Sequence, residues 1–182
     1  MNKVEKYISD KSKELELNLT RFIQRVFPES QEIVPTLFLI DNTGQMNLVN
    51  VNQIFALSKD ERYIHLAFII NQFKPIICCM INEAWSVFVN RDESLDVMPS
   101  ESPKREEIVL LHIISPFQTQ MITFNVTPDF QNITGEGQPF KTLSEPNGEM
   151  KNMSSFLVEI YEKTGPSKTE VEQVVIKNKL KV

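Results

Sequence analysis

The sequence predicts an α+β fold, an antiparallel sheet packed against helices in the order α-β-β-α-β-β-β-α. Three observations predict it. Strand-like runs at 75–89, 106–115 and 119–127 lie close together in the chain, and short connections cannot cross over to make parallel neighbours. A stripe of apolar residues at helical spacing opens the chain. A second helical pattern separates an early strand pair from the later three runs, and sheet and helices each need an apolar face covered.

The elements follow in order. Val4, Ile8, Leu15, Leu19, Phe22, Ile23 and Val26, with charges between them, predict an amphipathic helix over 1–27. It should stop near Val26 or Phe27, because the residue before Pro28 avoids the helical region. Apolar runs at 35–40 and 46–51 flank Asp41-Asn42-Thr43-Gly44, and Asn and Gly tolerate the positive φ of a hairpin turn. Ser58-Lys59-Asp60-Glu61 forms a capping box that opens a buried helix over 59–73, closed by Pro75. In the strand from Ile76, one face carries Ile77, Cys79, Ile81, Glu83 and Trp85. The other carries Ile76, Cys78, Met80, Asn82 and Ala84. Two apolar faces in its first half predict a central strand.

In the next strand Ile108, Leu110, His112 and Ile114 share a face, opposite Val109, Leu111 and Ile113. Ile122, Phe124 and Val126 then alternate with Met121, Thr123 and Asn125, a half-exposed pattern. Past Pro128, the residues Gly135, Gly137, Pro139, Pro146 and Gly148 predict a polar loop. Phe156, Leu157, Ile160 and Tyr161 predict a last helix over 151–163, ended by Gly165-Pro166. The expected organisation is one domain over 1–164 and a partly disordered tail over 165–182.

Composition narrows the function classes. A chain of 182 residues buries roughly 70% of its unfolded surface and needs no staple. A net charge of −5 argues against nucleic acid as a partner, since phosphate binding rests on clustered Lys and Arg. No apolar run is long enough for a transmembrane helix or a signal-peptide core, so no membrane partner is expected. Cys78 and Cys79 are the only cysteines. They point to opposite faces of a strand, read as buried apolar residues, and fit a reducing cytoplasm. His65 and His112 are the only histidines, without the paired spacing of a metal site. No P-loop, dinucleotide fingerprint, nucleophile elbow or kinase signature occurs, so no cofactor is expected.

Six residues are candidates for chemistry or recognition. Glu83 lies between Ile81 and Trp85 on an apolar strand face, where desolvation would raise its pKa toward that of a general acid or base. The plainer reading pairs it with Arg91, Lys104 or Arg105. His112, between Leu110 and Ile114, is the second catalytic candidate, weighed against a hydrogen-bonded core histidine. Trp85, the single tryptophan, is either core or a binding anchor. Ser100, Glu101 and Arg105 belong to the string Pro99-Ser100-Glu101-Ser102-Pro103-Lys104-Arg105-Glu106-Glu107, a recognition loop or a charged strand connection.

The element order resembles that of profilin-like and roadblock-like domains, in topology alone. Over roughly residues 60–127, Glu83-Ala84-Trp85 followed by the Pro99–Glu107 string resembles a group of uncharacterised small bacterial and phage proteins. Those share a Glu-Ala-Trp strand end followed by Pro-Ser-Glu-x-Pro-x-Arg-x-Glu. The resemblance implies kinship and no activity. Two functions are therefore expected as alternatives. The first is a non-enzymatic binding or protein-interaction module, a mobile element being one source for it, with a protein partner or self-association through the N-terminal helix. The second is a small hydrolase or other acid–base enzyme using Glu83 and His112.

Overall fold

The predicted α+β architecture is present in the computed structural model, which describes residues 2–87, 101–147, 150–151 and 155–178. The order is α1 (Lys3–Ser30), β1 (Thr36–Ile40), β2 (Met46–Asn50), α2 (Asn52–Phe55), α3 (Lys59–Phe73), β3 (Ile77–Ser86), β4 (Glu106–Ile114), β5 (Thr119–Ile133), β6 (Pro139–Leu143), β7 (Met150–Lys151), α4 (Phe156–Thr164) and α5 (Lys168–Lys177). The strands form one antiparallel sheet in the order β2-β1-β3-β4-β5-β6, and β7 pairs with the start of β5.

Helices cover both faces. On one face Ile77, Cys79 and Ile81 of β3, Val109, Leu111 and Ile113 of β4, and Ile122 and Phe124 of β5 meet α1 and α5. On the other, Cys78 and Met80 of β3, Ile114 of β4, and Leu37 and Leu39 of β1 meet α3 and α4. The two cysteines are buried free thiols, one in each core layer. Burial pushes the Cys78 thiol up to about 12, and burial together with the neighbouring Cys78 raises Cys79 well above its ordinary value.

Local chemistry explains the ends of the elements. Ser58 Oγ accepts the Glu61 N–H, and the Glu61 carboxylate accepts the Ser58 N–H, so α3 opens on its capping box. Asp41 Oδ1 accepts from the Thr43 and Gln45 N–H groups, and Gly44 at φ 82 closes the β1–β2 turn in a conformation costly for other residues. α1 differs from expectation: it runs through Pro28 to Ser30. The proline removes a ladder bond only in the last turn, and the extension keeps Phe27 fully buried against the sheet.

Two further expectations are corrected, the burial of α3 and the loop after Pro128. Of the apolar stripe of α1, Val4, Ile8, Leu15, Leu19 and Ile23 are buried in the chain's own core together with Phe27, whereas Phe22 is partly exposed. α3 is buried on one side only: Leu66 and Ile70 are fully covered, whereas Ile64 and Phe68 face outward. The polar stretch after Pro128 contains strand structure. β5 continues to Ile133 and pairs with β6. Pro128 is tolerated because pairing with β4 ends at Val126, so no partner needs its N–H on that side. The tail holds α5, capped by Ser167 and Glu170, with Val171 and Val175 fully buried beside α1. Valines spaced four residues apart on a charged segment sufficed for docking. Residues 179–182 lie outside the described residues.

The docking of α5 has a measurable consequence. Replacing Val171 and Val175 together by alanine should destabilise the fold by about 3 kcal/mol, read as a lower urea midpoint. An unchanged midpoint would show that α5 contributes nothing to the core.

Candidate functional site

The end of the sheet beyond the α1 C-terminus gathers most of the candidate residues. Glu83 and Trp85 sit on the α1 face of β3, and Trp85 pairs across the ladder with Glu107. Glu83 is half-buried, and its Oε1 accepts the Ile33 N–H at 2.7 Å. Burial raises its pKa above the usual carboxylate value, against the lowering effect of that hydrogen bond and of Lys141. Its hydrogen-bond partner is thus a backbone amide, and Arg91 lies outside the described residues. Glu107 accepts from Lys141 Nζ at 2.6 Å, with both side chains partly covered.

Trp85 is 45% exposed, contrary to a core role. The Arg105 guanidinium carbon lies 4.7 Å from the centroid of its ring, within cation–π range. Trp85 lies near the C-terminal end of β3, so position along the strand outweighs its apolar surface. Glu101 is exposed. Ser100 and Pro99 lie outside the described residues.

Lys141 joins this cluster to an open groove of about 730 Å³ between α1 and the β5–β6 hairpin. Pro28, Phe140 and Leu143 give the groove apolar patches, while Gln24, Asn132, Ser144 and Asp129 give it hydrogen-bonding groups. Glu83 and Trp85 do not line it. Asp129 shapes its far end: the carboxylate accepts from the Gln131 N–H and the Asn132 side chain, which holds the bulge between Asp129 and Ile133. Gln31, the left-handed cap of α1 at φ 61, reaches across to β6. Its carboxamide accepts the Lys141 N–H and donates to the Lys141 C=O, as the next strand of a sheet would.

His112 is elsewhere. It pairs with Met80 and Met121, so it lies on the opposite sheet face from Glu83, which pairs with Val109. The sheet therefore separates the expected acid–base pair. His112 is 1% exposed. The Ser155 hydroxyl, which accepts the Val158 N–H, lies 3.3 Å from His112 Nδ1. Ser155 Oγ can share that contact with either ring tautomer, and Nε2 has no partner. Burial pulls the His112 pKa down to about 4, so the ring is neutral near pH 7. It is a core histidine with one unsatisfied nitrogen.

Sequence reasoning missed Gln31, Asp129 and Lys141. Gln31 carries no signal, since its role depends on β6 lying opposite. Among the described residues no cluster of three potential metal ligands occurs, and no helix is long and apolar enough to cross a membrane. Compared with protein families, curated proteins and solved structures, the chain matches none.

These two groups set opposite pH dependences. A histidine whose folded pKa is depressed binds fewer protons when folded, so stability falls as pH drops from 6.5 toward about 4, by on the order of 3 kcal/mol. His112→Leu should remove that loss, seen as a smaller gap between urea midpoints at pH 7 and pH 4. Glu83, with a raised folded pKa, acts in the reverse sense. Folding retains its proton, so stability falls as pH rises above its ordinary value of 4.5 and through the folded value. Glu83→Gln should flatten that slope, and a slope unchanged in the variant would assign it to another group.

Proposed function

We propose that the chain is a non-enzymatic binding module that takes a segment of a protein partner along the α1–β6 groove, with Trp85 and Arg105 as its anchor. The observation that carries this is the exposed Trp85 with Arg105 over its ring, one ladder pair away from the Glu107–Lys141 bridge that leads into the groove. Tryptophan and arginine dominate the energetics of protein interfaces. A groove with mixed apolar and amide lining suits a peptide better than a small polar metabolite. Membership of the bacterial and phage group with the Glu-Ala-Trp and Pro-Ser-Glu-x-Pro-x-Arg-x-Glu strings, an accessory role in a mobile element and a cytoplasmic setting belong to the same proposal. The acid–base alternative has no assembled pair to support it.

Panning a random peptide display library on the intact chain tests this. Binders should enrich, should change the fluorescence of the single tryptophan, and should weaken by more than about tenfold in Trp85→Ala and Phe140→Ala. Phe68→Ala, on the far side of the molecule, should leave them unaffected. Binders indifferent to Trp85→Ala and Phe140→Ala, or no binders, would contradict the proposal.

A further inference from the structure

The two edges of the sheet are built differently. The β6 edge is closed. It starts with Pro139, which has no N–H, its middle residue is the charged Lys141, and Gln31 occupies the backbone groups of Lys141. These are the devices by which proteins prevent edge-to-edge pairing. The β2 edge carries none of them. Its sequence is Met46-Asn47-Leu48-Val49-Asn50, and no charged residue occurs anywhere from Asn42 to Ser58. Among the described residues no strand lies on its outer side.

The outward groups of β2 follow from the ladder. The Val51 N–H donates to the Pro35 C=O and the Asp41 N–H donates to the Gln45 C=O, so the bonded pairs are the alternate ones, Leu37 with Val49 and Leu39 with Asn47. The intervening Met46, Leu48 and Asn50 turn their N–H and C=O groups to the free edge. Their side chains share one face, with Met46 47% and Leu48 61% exposed.

We infer that β2 pairs antiparallel with β2 of a second copy of this chain about a two-fold axis at Leu48. That register sets Leu48 against Leu48 and Met46 against Asn50, and joins the two sheets into one. The occupant is a second copy because the strand is self-complementary. The chain's net charge of −5 opposes association at most surfaces, whereas here no like charges meet. With the β6 edge closed, assembly stops at two copies instead of propagating as a fibre.

A single five-residue strand makes a small interface, so sedimentation of the intact chain should be followed from about 1 µM to about 1 mM. A monomer–dimer equilibrium is expected. Leu48→Lys and Leu48→Glu, each alone, should be monomers with the melting temperature of an isolated wild-type monomer, because each sets like charges opposite one another. An equal mixture of the two variants should restore the dimer. That rescue distinguishes the β2 register from any other contact. A strict wild-type monomer across the range, or a dimer untouched by either variant, would overturn the inference. Either result would leave the α1–β6 groove proposal standing, since the two surfaces lie at opposite edges of the sheet.

Discussion

The structure depends on β3 being covered on both sides. From Ile77 to Ile81 every side chain is buried, alternately beneath α1 and beneath α3 and α4. A strand in that position leaves no solvent face, so a one-residue slip would exchange two apolar sets instead of exposing one. Register must come from elsewhere, and the polar residues beyond Ile81 supply it. Glu83 must reach the Ile33 amide, and Trp85 must emerge near the C-terminal end of β3. The residues that end the apolar wall are thus also those that begin the candidate site.

That arrangement separates the molecule into an inert centre and a varied perimeter. The two thiols and the imidazole of His112 are held uncharged by burial, which removes them from chemistry near pH 7. Recognition is left to the sheet ends and edges. At one edge Gln31 imitates a strand and the groove opens beside it. At the other, β2 presents unused backbone groups on an uncharged strand. The difference comes from a few residues, among them Pro139, Lys141 and Gln31, that block one edge, and from the lack of any equivalent at the other.

The helices α1 and α3 and strands β1 to β5 were legible because each repeats apolar residues at the period of its secondary structure, and because Ser58 and Glu61 mark a helix start by their spacing. What escaped reading did so for tertiary reasons. Pro128 looked like a stop because a proline disrupts a strand bonded on both sides, and nothing local reveals that β4 has already ended. The tail left strand, short helix and disorder open because its apolar residues alternate with charges without a clear period, and only a surface next to α1 selects Val171 and Val175 as the buried pair. Glu83, Trp85 and Arg105 were readable as exceptions to their surroundings. Gln31 and Lys141 were not, since an amide and an ordinary lysine become informative only when the fold brings one against the strand edge that carries the other. The face assignments of Glu83 and His112 already placed them on alternating positions of paired strands, but the register that puts them on opposite sides belongs to the folded ladder.

Residue-resolved hydrogen exchange of the native chain tests the central claim most directly. If β3 between its two helical layers anchors the fold, the slowest amides are those of Cys78–Ile81 and of the adjoining Val109–Ile113, exchanging only through global unfolding. Those of β2, β6 and the first turn of α1 exchange through smaller openings. Faster exchange in β3 than at either edge would contradict the account.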